Sequence, residues 1–216
     1  MTGTSLRLGE ADKEYLVAAA AVLGIELTPE ITMNLCRFAD VLDVWSARMN
    51  LVSCRSAREL VNRHLLDSLA VAQALPEDSG LIVDLGSGAG LPGLPLAILR
   101  PDLQFALVEV RRRRCSFLRE VRRNLHLSNV DVVEQRAEDP PAKYGHAAAA
   151  AVSRAVWTDR SLVDIAQGWL AEDGTLLWMR SDPLPESFPS DPFRLEASLR
   201  YRIEGERPRC IAVLRR

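Results

Sequence analysis

A run of glycines directly after a short apolar stretch constrains this chain more than any other feature. Residues 81–85 (LIVDL) are apolar enough to form a buried strand, and the segment from Asp84 to Gly90 (DLGSGAG) overlaps its end. Glycine lets the backbone turn sharply and approach a ligand without a clash at Cβ. A strand, a glycine turn and an apolar helix over 91–100 form half of a nucleotide-binding βαβ unit, so we predict an α/β fold.

The remainder of the chain alternates between strand and helix patterns. We predict strands at 105–110, 130–135, 147–153 and 174–180, helices at 111–126 and after Thr158, and a proline-rich loop at 181–193. Segments 196–205 and 209–216 are predicted to close the fold as an antiparallel hairpin. With the strand at 81–85, this pattern predicts a mainly parallel sheet of seven strands.

The first third of the chain shows helical patterns only. We predict helices at 12–24, from a cap at Thr28, and from a capping box that begins at Ser56 and continues to about Leu75. The predicted organisation is a helical extension at 1–77 and a catalytic core at 78–216, which together form one compact domain.

An acidic residue after the second predicted strand suggests what the glycine turn binds. Glu109 lies 23 residues beyond Gly86, where such folds place a carboxylate on the ribose hydroxyls of a nucleoside. Asp84 would repel a pyrophosphate but suits the ammonium group of S-adenosylmethionine. The D-x-G-x-G-x-G spacing therefore favours this methyl donor over the G-x-G-x-x-G pattern of a dinucleotide site. A glycine turn without a ligand is the third alternative.

Methyltransferases use characteristic residues for two common classes of acceptor, and this chain does not have those residues at the expected positions. Residues 139–144 (DPPAKY) precede the fourth predicted strand, so we interpret them as a loop and not as a clamp for an exocyclic amine. Cys115 and Cys210 do not lie at the end of that strand, where a pyrimidine methyltransferase needs its nucleophile. An acceptor that is already nucleophilic, such as guanine N7, fits this pattern because alignment alone can promote the transfer.

Charge and cysteine content exclude several classes of protein. The net charge is only −2, yet seven arginines fall between 111 and 123, and they form either a phosphate contact or a solvated helix face. The four cysteines are scattered, so we expect neither a disulfide framework nor a bound metal. The sequence has no bilayer-length apolar run and no signal peptide, which predicts a cytoplasmic protein that does not bind membranes.

Several further motifs together resemble one family. They are Trp45, Asn50-Leu51-Val52-Ser53, Arg63-His64-Leu65-Leu66-Asp67-Ser68, the glycine turn followed by LPGLPL (91–96), Phe117-Leu118, Gln135-Arg136-Ala137-Glu138 and Ser153-Arg154-Ala155. The chain resembles the RsmG (GidB) family, the bacterial 16S rRNA guanine-N7 methyltransferases, from about Phe38 to Arg180. The resemblance implies a class I (Rossmann-like) methyltransferase fold, S-adenosyl-L-methionine as the methyl donor, and 16S rRNA or the small ribosomal subunit as the partner.

The resemblance also implies roles for individual residues. To Asp84, Gly88 and Glu109, which the glycine turn and the acid already predict to bind the donor, it adds Gly86, Leu91, Ala137, Glu138 and Arg154. Ala137 and Glu138 would lie beside the adenine, and Arg154 near the methionine end or the incoming phosphates. The candidate acceptor contacts are Asn50, His64, Arg113 and Arg180. Asn50 also suits a simple turn, and His64 also suits a structural pair with Asp67.

This chain departs from the family in two places. Arg180-Ser181 stands where the family usually has Lys-Gly, and Arg113 stands where it often has Lys. Arginine keeps the charge but changes the geometry of the contact. We expect a monomer that binds no DNA. The alternatives are a small-molecule methyltransferase and a non-catalytic RNA-binding assembly factor on the same fold.

Overall fold

A computed structural model describes residues 5–77, 80–154, 159–184, 188 and 191–216. Its centre is a seven-stranded sheet in the order β3-β2-β1-β4-β5-β7-β6. The first five strands run parallel, and β7 pairs antiparallel with both β5 and β6. The strands are β1 (Leu81–Leu85), β2 (Gln104–Val108), β3 (Val130–Val133), β4 (Ala148–Arg154), β5 (Leu170–Arg180), β6 (Arg194–Tyr201) and β7 (Arg209–Arg215). The predicted fold class, including the closing hairpin, is confirmed.

Helices cover both faces of the sheet. They are α1 (Glu10–Val22), α2 (Pro29–Met49), α3 (Ala57–Leu60), α4 (Asp67–Leu69), α5 (Gly93–Leu99), α6 (Arg112–Asn124) and α7 (Asp159–Trp169). A π-helical segment (Val61–Leu66) joins α3 to α4, and a 3₁₀ segment (Ala70–Ala74) follows α4, so one helical run extends from 57 to 74. Among the described residues, no helix is both long and apolar enough to cross a membrane.

The N-terminal helices carry the end signals that the sequence predicts, although α1 spans Glu10–Val22 and not 12–24. Thr28 Oγ1 accepts a hydrogen bond from the backbone N–H of Ile31, with proline in the first turn of α2. Gly24, with φ +75°, follows the end of α1, as expected of a left-handed helix end. Ser56 Oγ accepts from the N–H of Glu59, as in a capping box, but the Glu59 carboxylate accepts from the N–H of Arg55, one residue before the cap.

One continuous apolar core joins the N-terminal helices to the sheet. Leu16, Phe38 and Leu65 are fully buried in the same cluster as Ile82 of β1 and Phe117 of α6. The opposite face of the sheet forms a second cluster, which is centred on α7. The boundary at 77/78 stays a prediction, because the helical extension shares its core with the sheet.

Several predicted bounds differ from the structure by a few residues, and the following three have a clear physical reason. Helix α5 begins at Gly93 and not at 91, because residues 86–90 turn through three glycines with positive φ. Strand β2 ends at Val108, so Glu109 lies just beyond it. Strand β5 begins at Leu170 and not at 174, because Leu170 already pairs with Ala148. Helix α7 confirms the helix predicted after Thr158, but Thr158 itself and Ala155 lie outside the described residues.

Candidate functional site

The glycine turn after β1 has a backbone that other residues would adopt only with strain. Gly86, Gly88 and Gly90 have φ of +73°, +56° and +75°. A Cβ on Gly90 would lie 2.2 Å from a methyl carbon of Leu94, so this glycine also allows α5 to pack closely. The turn is tied to the next strand by a hydrogen bond of 2.9 Å from the N–H of Ser87 to the carbonyl of Val108.

The Glu109 carboxylate lies beside this turn. Its side chain is only 5% exposed, and Oε2 accepts from the N–H of Gly88 at 3.1 Å. Oε1 accepts from the N–H of Arg111 at 2.7 Å, and the Arg114 guanidinium lies 3.4 Å from Oε2. The backbone contacts fix the orientation of the carboxylate, whereas the contact to Arg114 involves a flexible side chain.

A cavity of about 260 Å³ opens at this edge of the sheet. Four of the residues predicted to bind the donor line it together: Gly86, Glu109, Ala137 and Glu138. Five further lining residues were not predicted from the sequence, namely Val108, Val110, Arg111, Arg114 and Gln135, and Arg136 was not predicted to bind the donor. Val110 could have been predicted from the sequence, since it is an apolar residue immediately after Glu109. In the structure 56% of Val110 is exposed to solvent.

The lining of this cavity suits a nucleoside. Gly86 leaves room at the wall because it has no side chain, and Glu109 offers a fixed acceptor of the kind that binds ribose hydroxyls. Val110 and Ala137 supply apolar surface for a flat base. Ala137 is held in place because the indole N–H of Trp169 donates to its carbonyl at 2.7 Å.

Asp84 has a contact that the sequence analysis did not foresee. It is 1% exposed, and Oδ2 accepts from the N–H of Gly93 at 3.0 Å, which satisfies a backbone donor in the first turn of α5. Burial raises the pKa of Asp84 to about 7, although the hydrogen bond from Gly93 opposes that rise. Asp84 and Leu91 are both buried and are not among the residues lining the 260 Å³ cavity.

Arg154 lies away from that cavity, at the end of β4. Its Nη1 is 3.2 Å from Nδ1 of His64 and 3.4 Å from Oδ2 of Asp67. Burial, and then the charge of Arg154, lower the pKa of His64 to about 3, so the imidazole is neutral and Nδ1 can accept from Arg154. Arg154 therefore connects His64 and Asp67. Within the described residues, His64 and Asp67 form no hydrogen bond with each other.

The other candidate acceptor contacts do not line one common cavity. Arg180 lies at the end of β5, stacks on Trp178 at 4.3 Å and, with Arg154, lines a second cavity of about 590 Å³. Arg113 is exposed on α6 and lines neither cavity. Asn50 is the left-handed C-cap of α2, with φ +47°, and lines neither of them either. The structure thus gives Asn50 the turn role that its sequence position allowed.

The groups considered for other methyl acceptors have structural contacts. The 139–144 segment contains no helix or strand, so it is a loop as predicted, and its Tyr144 is buried before β4 and donates from its hydroxyl to Asp131. The Cys115 thiol is buried against the carbonyl of Glu109, and burial raises its pKa to about 11. Burial also raises the pKa of Cys210 in β7. Neither thiol is poised to form a nucleophilic thiolate.

Comparison with solved structures agrees with the fold. A Geobacter metallireducens precorrin-6y C5,15-methyltransferase superposes with a TM-score of 0.54 at 13% identity, covering 78% of this chain and 91% of that one. Pyrococcus horikoshii TYW2, solved in complex with MeSAdo, also gives 0.54, at 15% identity over 70% of this chain. This chain covers 62% of that protein, which is less than two thirds of its length.

Comparison with known sequences identifies the family. A protein of Xanthomonas campestris pv. campestris named ribosomal RNA small subunit methyltransferase G is 41% identical over 169 residues, covering 76% of this chain and 77% of that protein. A Xylella fastidiosa protein of the same name is 42% identical over 173 residues, covering 71% and 79%. The family model GidB, described as rRNA small subunit methyltransferase G, matches residues 31–195. The predicted resemblance is confirmed: the chain belongs to the GidB family of rRNA small subunit methyltransferases.

Proposed function

We propose that the protein transfers a methyl group from S-adenosylmethionine to N7 of a guanine in 16S rRNA. The observation that carries this proposal is the convergence of Gly86, Glu109, Ala137 and Glu138 on one cavity at the carboxyl edge of the sheet. The names of the relatives support ribosomal RNA of the small subunit as the acceptor.

The geometry of the 260 Å³ cavity supports the proposed donor site. Glu109 accepts the ribose hydroxyls, the backbone at Gly86 borders the ligand, and Ala137 with Glu138 flanks the adenine. Gly88 acts through Glu109, because its N–H orients the carboxylate. When bound, S-adenosylmethionine supplies a methyl group activated by the positive charge on its sulfur.

The remaining predicted donor residues do not contact the donor in this proposal. Asp84 fixes the start of α5 through the N–H of Gly93, and Leu91 packs behind the turn with 4% exposure. Arg154 serves the acceptor side, because it lines the 590 Å³ cavity and not the donor cavity.

The chemistry of the acceptor fits this arrangement. Guanine N7 carries a free lone pair, so the protein needs no general base and contributes mainly by holding the two reactants in line. The raised pKa of the Cys115 and Cys210 thiols argues against pyrimidine chemistry through a cysteine nucleophile. The arginines of the second cavity suit a polyanionic acceptor better than a neutral small molecule.

Mapping of a labelled methyl group tests the proposal. The protein is incubated with methyl-labelled S-adenosylmethionine and either free 16S rRNA or 30S subunits from cells that lack the activity, and the product is digested and analysed for 7-methylguanine. Label at one guanine N7 is the expected result. Label on another atom contradicts the N7 assignment, and donor binding without any RNA product favours the assembly-factor alternative. Calorimetry with NAD in place of the methyl donor gives the matched control and should show no binding.

Four further properties are proposals of the same kind. We propose that the protein acts as a monomer in the cytoplasm, and that it binds neither DNA nor membranes. Light scattering of the purified protein at micromolar concentration tests the first, and competition of duplex DNA or anionic vesicles against 16S rRNA tests the last two.

A further inference from the structure

The cavity of about 590 Å³ lies where four strand ends meet. Strand β7 runs antiparallel to β5, and its register pairs Arg180 at the end of β5 with Cys210 near the start of β7. The register of β6 pairs Tyr201, its last residue, with Arg209. The turn between β6 and β7 is therefore brought to the same edge of the sheet as Arg154 of β4.

This turn places two more arginines at the cavity. Arg207 and Arg209 line it together with Arg63, Arg154 and Arg180. The acidic residues in the lining are Asp67 and Glu206, so the cavity wall carries an excess of positive charge. Arg207 is exposed and forms no ion pair or side-chain hydrogen bond with any described residue, whereas Arg63 is neutralised by Glu59 and Glu206.

A buried carboxylate holds two of these arginines in place. Asp67 is fully buried, and its Oδ2 accepts from Arg209 at 2.9 Å and lies 3.4 Å from Arg154. Its other oxygen accepts from the hydroxyl of Tyr201 at 2.6 Å. One buried negative charge thus orients two guanidinium groups at the cavity wall, on side chains that are 21% (Arg154) and 30% (Arg209) exposed. Guanidinium groups fixed in this way have remaining N–H donors suited to a phosphate.

The β6–β7 turn falls outside the part of the chain that the family model matches. The match ends at residue 195, and Tyr201, Gly205, Arg207 and Arg209 all follow it. The family resemblance therefore assigns no role to these residues.

We propose that the β6–β7 turn forms a phosphate subsite, in which Arg207 joins Arg154 and Arg209 to bind a phosphodiester of the RNA acceptor. The subsite rests on the proposed function for the identity of its ligand. Asp67 and Tyr201 are positioning residues, since the Asp67 carboxylate holds Arg154 and Arg209 in place and the Tyr201 hydroxyl holds the carboxylate. The subsite holds the RNA backbone at the same edge of the sheet as the donor cavity.

Substitution of Arg207 tests the subsite without disturbing the buried network. Arg207→Gln removes one charge from an exposed side chain that has no described partner, so the fold should be unaffected. The matched control is Arg202→Gln, which removes the same charge from the same turn but on the side that faces α1. Binding of 16S rRNA is measured by filter retention at several KCl concentrations, and binding of S-adenosylhomocysteine by calorimetry.

Arg207→Gln should weaken RNA binding about three- to tenfold, which is typical of one lost charge-assisted contact. The slope of log affinity against log salt should become shallower by about 0.7, the contribution of one phosphate contact to a single strand. Arg207→Lys should restore the slope because the charge returns. Binding of S-adenosylhomocysteine should be unchanged in all variants, and Arg202→Gln should match the parent.

Two results would overturn the subsite. The first is an Arg207→Gln protein with the affinity and salt slope of the parent or of the Arg202→Gln control. The second is weaker binding of S-adenosylhomocysteine with unchanged RNA binding, which would assign the cavity to the donor. These measurements do not depend on methyl transfer. A parent protein that binds RNA but forms no 7-methylguanine would therefore contradict the proposed function. The subsite would still be tested by the salt dependence of RNA binding in the parent and in Arg207→Gln.

Discussion

Replacing Asp84 by asparagine should make the protein more stable at pH 8, even though Asp84 belongs to the most distinctive motif of the chain. The aspartate is 1% exposed, and its main described partner is the N–H of Gly93. Asparagine keeps a carbonyl oxygen for that N–H and removes the charge. The variant thus isolates the free-energy cost of burying a negative charge, because the hydrogen bond to the N–H of Gly93 is kept.

The size of the effect follows from the pKa. An unfolded aspartate titrates near pH 3.9, whereas burial raises the pKa of Asp84 to about 7 in the folded protein. Between these values the folded state retains a proton that the unfolded state has lost, so this residue lowers the stability of the parent as the pH rises through the window. The loss levels off above pH 7. From pH 5 to pH 8 it amounts to about 2–3 kcal/mol, at about 1.4 kcal/mol for each unit of pKa difference.

Urea denaturation of both proteins at pH 5 and pH 8 measures this effect. The stability advantage of Asp84→Asn over the parent should grow by about 2–3 kcal/mol between the two pH values. Comparing the proteins with each other is essential because the lowered pKa of His64 changes stability in the opposite direction, with a loss as the pH falls below 6.5. A difference between the two proteins that stays constant with pH would refute the assignment of a buried, destabilised charge to Asp84.

Three further predictions concern ligands. Glu109→Ala should weaken binding of S-adenosylhomocysteine by about 1–3 kcal/mol in calorimetry, the usual effect of losing a charged hydrogen-bond partner, and equal binding would contradict the ribose assignment. Arg114→Gln should strengthen donor binding severalfold, because Arg114 occupies the Glu109 oxygen that a ribose hydroxyl needs; weaker binding would instead show that Arg114 holds the donor. Substituting Arg112 and Arg113 together by glutamine should reduce methylation of 16S rRNA and its salt dependence without changing donor affinity. Methylation equal to that of the parent at every salt concentration would identify this face of α6 as merely solvated.

Local features of the fold and site were predictable from the sequence. Glu109 could be found because it follows a strand pattern at a fixed distance from Gly86. Arg114 was harder to distinguish, since it is one of seven arginines between 111 and 123, and only the placement of α6 brings it to the Glu109 carboxylate. The contact between Asp84 and Gly93 depends on the path of the turn between them, and the pattern of glycines does not specify which N–H the carboxylate meets.

Contacts between distant segments could not be predicted in this way. Asp67 was recognised as part of a family motif and as a possible partner of His64, but its actual partners Tyr201 and Arg209 follow it by 134 and 142 residues. The separation of His64 from Asp67 by Arg154 likewise depends on β4 reaching the N-terminal helices. In each case the sequence shows only a polar residue in a helix. Its hydrogen-bond partners become known only from the packing of β4, β6 and β7 against that helix.

The burial of Asp67 has a consequence for how the chain is made. During synthesis this carboxylate emerges early, but its hydroxyl partner and one of its two arginines are in the last strands of the chain. Until those strands are added, closing the N-terminal helices over the sheet would bury an incompletely compensated charge, which is strongly unfavourable. We therefore expect the helical extension to complete its packing only after the final hairpin has formed. A nascent chain halted before residue 200 should remain accessible to protease between 57 and 77, whereas the complete chain should be protected there.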